Sequence, residues 1–180
     1  DAVYENAEQA GEVLKETIWQ ANHVLRDACQ EHPELSGMGT TFSGMVIVGD
    51  KATIAHIGDS RIYRARNGEV TQITADHTFV QRLIDSGRIT EEEAHDHPRR
   101  SVLMRVLGDV DASPELDTTV LDIAEGDRWM LCSDGLPEAT DKQGEQFGTT
   151  RLIAAAANTS PAERFSRIEA ALSSHLEGSV

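Results

Sequence analysis

Basic residues are scarce in this chain of 180 residues: 16 lysines and arginines stand against 31 aspartates and glutamates, a formal charge of −15. Such a surface repels phosphate backbones and anionic bilayers, which argues against nucleic acid and membrane partners. Cysteine is almost missing. Cys29 and Cys132 form neither a zinc motif nor a disulfide framework, and Cys132 reads as a small side chain in an apolar strand. No apolar run approaches the roughly 20 residues needed to span a bilayer, and no signal peptide is visible; a cytoplasmic location is expected. Gly37-Met38-Gly39-Thr40-Thr41 is not a nucleotide-binding phosphate loop, because no lysine follows and a strand comes next. A nucleophile elbow and a Ser-His-Asp arrangement are missing too. What remains is 39% hydrophobic and 26% charged, typical of a folded chain and of one domain by size.

The hydrophobic periodicity predicts an amphipathic helix from Ala2 to about Gln30, broken near Gly11 and ended by His32-Pro33. Strands are predicted at Phe42 to Val48, Thr53 to Ile57, Arg61 to Arg66 and Val70 to Ile73. Gly49-Asp50 and Asn67-Gly68 serve as hairpin turns, so the four strands read as one antiparallel meander. The period then becomes helical at Phe79 to Ile84. A capping-box helix follows from Thr90, and a further short helix from Val102 to Leu107. Two strands (Glu115 to Leu121, Asp127 to Ser133) and two Ala-rich helices (Thr149 to Ala157, Pro161 to Leu176) complete an α+β chain. There are no internal repeats.

Two acidic turns carry the chemistry. Ile57-Gly58-Asp59-Ser60-Arg61 and Cys132-Ser133-Asp134-Gly135-Leu136 each follow a strand, so Asp59 and Asp134 stand at sheet rims beside a glycine. Carboxylates so placed suit a hard divalent cation. Asp134 could equally form an Asx-turn or cap a helix near Leu136, and Asp59 could be a turn residue paired with Arg61. Trp129 to Cys132 reads as a strand buried on both faces. His56, inside an apolar strand, reads as a satisfied core histidine; His95 and His97 read as members of a solvated loop. Arg99, Arg100 and Arg105 would meet either a phosphate or acidic peptide, or Glu91 to Glu93.

Five motifs occur in order: Gly37-Met38-Gly39-Thr40-Thr41, Ala55-His56-Ile57-Gly58-Asp59-Ser60-Arg61, Thr74-Ala75-Asp76-His77-Thr78, His97-Pro98, and Leu131-Cys132-Ser133-Asp134-Gly135-Leu136. In this series the chain resembles the bacterial metal-dependent protein phosphatases of the 2C type, the PPM family, over about residues 1 to 137. The resemblance implies an α-β-β-α sandwich: two packed antiparallel sheets flanked by helices, as a single phosphatase domain over residues 1–180 with a flap-like helical insertion at 77–108. It implies a serine/threonine phosphatase in signalling, with two Mn2+ or Mg2+ ions activating a water that attacks phosphoserine or phosphothreonine. Asp134 would hold the binuclear centre, and Asp59 would help hold a third, more labile ion.

The family's opening strand, with its phosphate-binding Arg and its Asp-Gly-Met-Gly-Gly motif, does not precede Asp1. Its closing Asp-Asn or Asp-Asp-Val-Thr strand would begin where Val180 stands. The chain is therefore expected to be a fragment, inactive alone. The stretch from Pro137 to Leu152 is closer to the branch that dephosphorylates regulators of sigma factors. Expected partners are phosphorylated proteins, with a Ser/Thr kinase or a sigma-factor regulator in the background and oligomerisation open. Because the metal-bridging Asp is absent, a non-catalytic phosphatase-like binding module is the alternative from a different class.

Overall fold

The computed structural model describes residues 4–109, 114–156 and 160–178; the predicted helical positions Ala2, Val3 and Ala157 lie outside them. The chain divides into two compact units, residues 1–60 with 74–125 and residues 61–73 with 126–180.

The first unit begins with α1 (Ala7–Glu31), whose N-cap Asn6 accepts the Gln9 N–H at 2.8 Å and which ends at His32 before Pro33. The helix runs through Gly11 unbroken. A Cβ there would come within 3.2 Å of Thr53 Cγ2, so the helical cost of a glycine, ~1 kcal/mol, is offset by close approach to the sheet. That sheet has the order β1-β2-β5, from β1 (Phe42–Val48), β2 (Lys51–Ile57) and β5 (Asp117–Asp122). Ile18, Ala55, Ile57 and Leu107 form its core, with Leu14, Leu25, Phe42 and Leu116 packed against them. Two polar ties pin the helix: Thr53 Oγ1 donates to the Ala7 carbonyl at 2.8 Å, and Asn22 Oδ1 accepts the Gly108 N–H at 2.8 Å. The unit also holds α2 (Phe79–Asp85) and α3 (Glu91–His95), the latter with the predicted capping box between Thr90 and Glu93.

The second unit carries a sheet of order β4-β3-β6, from β3 (Arg61–Arg66), β4 (Glu69–Gln72) and β6 (Arg128–Cys132). Asn67 (φ 54°) and Gly68 (φ 84°) both take positive φ, the requirement of the tight hairpin turn their sequence announced. Two helices follow, α4 (Gly148–Ala156) and α5 (Pro161–Glu177). Tyr63, Phe147 and Leu152 form the core, joined by Ile168, Ala171 and Leu172 of α5. Arg66 holds Asp127 through two bonds of 2.7 and 2.6 Å, and the Asp127 side chain is 1% exposed.

The α+β class of two antiparallel sheets with helices is as expected, but several local expectations are corrected. The four strands are not one meander. β2 spends one edge on β1 and the other on β5, and β3 is likewise taken by β4 and β6, so no edge is left for β2 to pair with β3. The helix expected at Val102 to Leu107 is absent. Those backbone groups bond elsewhere: Thr40 and Leu107 exchange N–H and C=O bonds of 3.0 and 2.9 Å, and the Val102 carbonyl accepts from Phe79 at 2.8 Å. β6 is not buried on both faces, since Leu131 is 45% exposed. No helix starts at Leu136; a turn does, with the Glu138 N–H donating to the Asp134 carbonyl at 2.9 Å.

Candidate metal centre

Asp59 is half-buried in the turn after β2, within the first unit. Gly58 makes that turn possible. Its φ is +108°, and a Cβ added to it would sit 2.2 Å from Thr41 Cγ2. Ser60 is held on the Thr41 side as well, its Oγ 2.9 Å from Thr41 Oγ1. Ser43 Oγ lies 2.8 Å from both the Ser60 carbonyl and His56 Nδ1, so its single proton serves one acceptor at a time.

His56 is 1% exposed, and its Nε2 lies 3.0 Å from the Ala75 carbonyl. A carbonyl only accepts, so Nε2 carries the proton and Nδ1 is the acceptor for Ser43. Burial, with nearby His77, holds the imidazole below its ordinary pKa and keeps it neutral. The satisfied core histidine expected from the sequence is what the structure contains.

His77 belongs to the same shell, its ring centroid 4.7 Å from that of His56. It meets Asp117 at 3.0 Å, and Asp117 also takes Arg105 Nη1 at 2.8 Å. Burial raises the Asp117 pKa, but the His77 hydrogen bond together with Arg105 outweighs it and leaves the carboxyl below its usual value. Arg105 further reaches Glu115 at 3.7 Å, so its acidic partners are Glu115 and Asp117 rather than Glu91 to Glu93. Arg99 lies over the Phe79 ring at 3.9 Å. His97 Nδ1 accepts the Arg99 N–H at 3.1 Å, while His95 is exposed. A cavity of about 510 Å³ opens beside this shell, bordered by Asp76, His77, Arg82, Arg105 and Asp117.

Asp134 is half-buried just past the end of β6, within the second unit. Its carboxylate has no hydrogen-bond or ion-pair partner among the described residues. An Asx-turn or helix cap would have engaged that carboxylate, so neither explains it. A hard oxygen donor in this setting fits Mn2+ or Mg2+ in kind. In number the fit is incomplete: among the described residues, no three His, Cys, Asp or Glu side chains are grouped to hold a metal ion. Ligands beyond these two turns are needed.

Sequence reasoning singled out Asp59 and Asp134, named Arg105 within a basic cluster and His77 within the Thr74–Thr78 motif, but missed Ser43 and Asp117 and did not join these four into one shell.

Comparison with known proteins gives a consistent set. The family described as Stage II sporulation protein E (SpoIIE) matches residues 2–179. The serine/threonine protein phosphatase PstP of Mycobacterium tuberculosis is 46% identical over 125 residues, 69% of this chain and 24% of that protein. The serine/threonine phosphatase stp of Listeria innocua is 38% identical over 137 residues, 74% of this chain and 54% of that protein. The chain thus spans about a quarter to a half of these curated relatives. Among solved structures, the catalytic domain of PstP in complex with two manganese ions is 34% identical with a TM-score of 0.74, covering 98% of this chain and 70% of that one.

Proposed function

We propose, for a chain that belongs to the bacterial PPM family of 2C-type protein phosphatases, that its parent protein hydrolyses phosphoserine and phosphothreonine in protein substrates with Mn2+ or Mg2+. The observation that carries this reading is Asp134, a half-buried carboxylate at a strand end with no hydrogen-bond partner among the described residues. Asp134 is assigned to the metal centre and Asp59 to a third, more labile ion. When bound, the ions would supply an activated water and charge neutralisation at the phosphoryl oxygens. The protein's own contribution is to hold Asp59 in a fixed turn and to keep the Asp134 carboxylate uncommitted. Residues 1–180 are assigned to one phosphatase domain and 77–108 to its flap. A cytoplasmic setting accords with the absence, among the described residues, of any helix long and apolar enough to cross a membrane.

A second reading keeps the reaction and changes the substrate to a phosphorylated regulator of sigma-factor partner switching. It is favoured by the SpoIIE match along residues 2–179 and by the stretch from Pro137 to Leu152. There Asp141 accepts the N–H groups of Gln143 and Glu145 at 2.9 and 2.8 Å, and Phe147 is 1% exposed.

The test is Mn2+-dependent release of phosphate from a phosphothreonine peptide and from a phosphorylated sigma-factor regulator, by the intact protein and its Asp134→Ala variant. Loss of a metal ligand should lower the rate by at least about a hundredfold, while thermal stability stays within about 0.5 kcal/mol. An intact protein inactive on both substrates leaves the non-catalytic binding module as the surviving alternative.

A further inference from the structure

At Gly58 the turn that carries Asp59 is gripped by one residue, His77, through its ring and its backbone. The Gly58 N–H donates to His77 Nδ1 at 3.1 Å, and the His77 N–H donates back to the Gly58 carbonyl at 2.8 Å. A backbone N–H can only donate, so Nδ1 is unprotonated and the ring proton resides on Nε2. That proton points to Asp117 Oδ2 at 3.0 Å; Arg105 Nη1, 3.3 Å from Nε2, meets an N–H there and donates instead to Asp117 Oδ1 at 2.8 Å. The His77 carbonyl accepts the Met104 N–H at 2.7 Å. His77 is 7% exposed, so these bonds form away from competing water. Residues 77 and 104–105, which flank the segment carrying α2 and α3, are thereby tied to the Gly58 peptide.

We infer that His77 is a positioning residue that sets the orientation of the Gly58 peptide, and with it the Asp59 carboxylate, according to how Asp117 and Arg105 hold its tautomer. Gly58 has no side chain, and its φ of +108° is a conformation that L residues avoid. The peptide has few internal restraints and takes its geometry from what it bonds. A ring fixed at one nitrogen by a carboxylate presents the other as an acceptor in one direction, the arrangement by which outer residues orient metal ligands. The inference rests on the reading of Asp59 as a ligand only for its consequence, not for the grip itself.

Two near-isosteres separate the two ends of the ring. In His77→Asn the amide oxygen lies where Nδ1 was and can still accept from Gly58, but nothing reaches Asp117. In His77→Gln the amide NH2 reaches toward Asp117, but the acceptor for Gly58 is lost. The intact protein and both variants are labelled with 15N-glycine, and the shift and exchange rate of the Gly58 amide are read by NMR. Mn2+ titration, followed by the EPR signal of free Mn2+, is run in parallel with Asp59→Ala as a marker.

The expected result is that His77→Gln exposes the Gly58 amide and weakens the most loosely held Mn2+ by about tenfold or more, while His77→Asn stays near wild type in both. Identical behaviour of the two variants at Gly58 overturns the inference and leaves His77 a general packing residue. If Asp59→Ala changes no Mn2+ affinity, the ligand reading of Asp59 is the part that fails, and the Gly58 amide alone decides the grip. Should His77→Gln not fold, Asp117→Ala serves: its side chain is 52% exposed, and removing it frees the tautomer and should move the Gly58 amide in the same direction. An unmoved amide in that variant also overturns the inference.

Discussion

Replacing Gly58 with alanine asks the Asp59 turn to accept a methyl group and a disfavoured backbone at once. The methyl would lie 2.2 Å from Thr41 Cγ2 and 2.4 Å from Thr41 Cβ, well inside contact distance. Both are atoms of a β-branched side chain with little freedom to turn away. Overpacking of this kind costs ~1–3 kcal/mol, and a non-glycine residue in left-handed backbone adds ~1–2 kcal/mol, so the expected loss is about 2–5 kcal/mol. Gly49 is the control, because its φ is +62° and a Cβ there meets nothing within 4 Å. Gly49→Ala should therefore cost only the backbone part, ~1–2 kcal/mol. Urea unfolding followed by circular dichroism reads both. With a slope of ~2 kcal/mol per molar, Gly58→Ala lowers the midpoint by about 1–2.5 M and Gly49→Ala by about 0.5–1 M. Thr41→Gly removes the two closest atoms and leaves only the backbone Cα at 3.1 Å, so Gly58→Ala in that background should lose most of its excess over the Gly49 value. Equal shifts for the two alanines, or no relief in the double variant, would refute the steric reasoning.

Three further outcomes are expected. Arg66→Ala removes both charge-assisted bonds to Asp127, whose side chain is 1% exposed, and should cost about 2–3 kcal/mol in the same unfolding assay. Burial lowers the His56 pKa from its ordinary 6.5, so the unfolded chain binds the proton more readily than the folded one. The stability this contributes is complete above pH 6.5 and drains as pH falls toward the folded value; a urea midpoint followed from pH 7.5 downward should show that loss in the wild type and less of it in His56→Gln. Ser160 caps α5 and shares a capping box with Glu163, so Ser160→Ala should cost about 1 kcal/mol and lower the melting temperature, with Ser160→Asp restoring most of it.

The local features were legible in the chain. His32-Pro33, Asn67-Gly68, the Thr90 capping box and Pro161 mark their boundaries because cap and turn chemistry acts over a few residues. The two aspartates were legible for the same reason, each being a short acidic turn beside a glycine. Val102 to Leu107 misled because apolar residues at three- and four-residue steps also fit a segment whose backbone bonds to Thr40 and Phe79, and periodicity does not say where an N–H goes. Leu131 misled because an apolar strand does not reveal which of its faces is covered.

The sequence by itself determined most element types, most turns, the acidic surface and the two acidic turns proposed to meet a metal, since all of these follow from residue chemistry and short-range sterics. Only the tertiary structure decided that β2 pairs with β5 and β3 with β6. Those pairings join residues far apart in the chain, 65 positions for Ile54↔Thr119 and 69 for Ile62↔Leu131, and depend on which edges are already taken. Only it could show that His77, 19 residues from Gly58, closes on the turn that presents Asp59. A histidine's two nitrogens have no assigned roles until the fold places a donor at one and a carboxylate at the other.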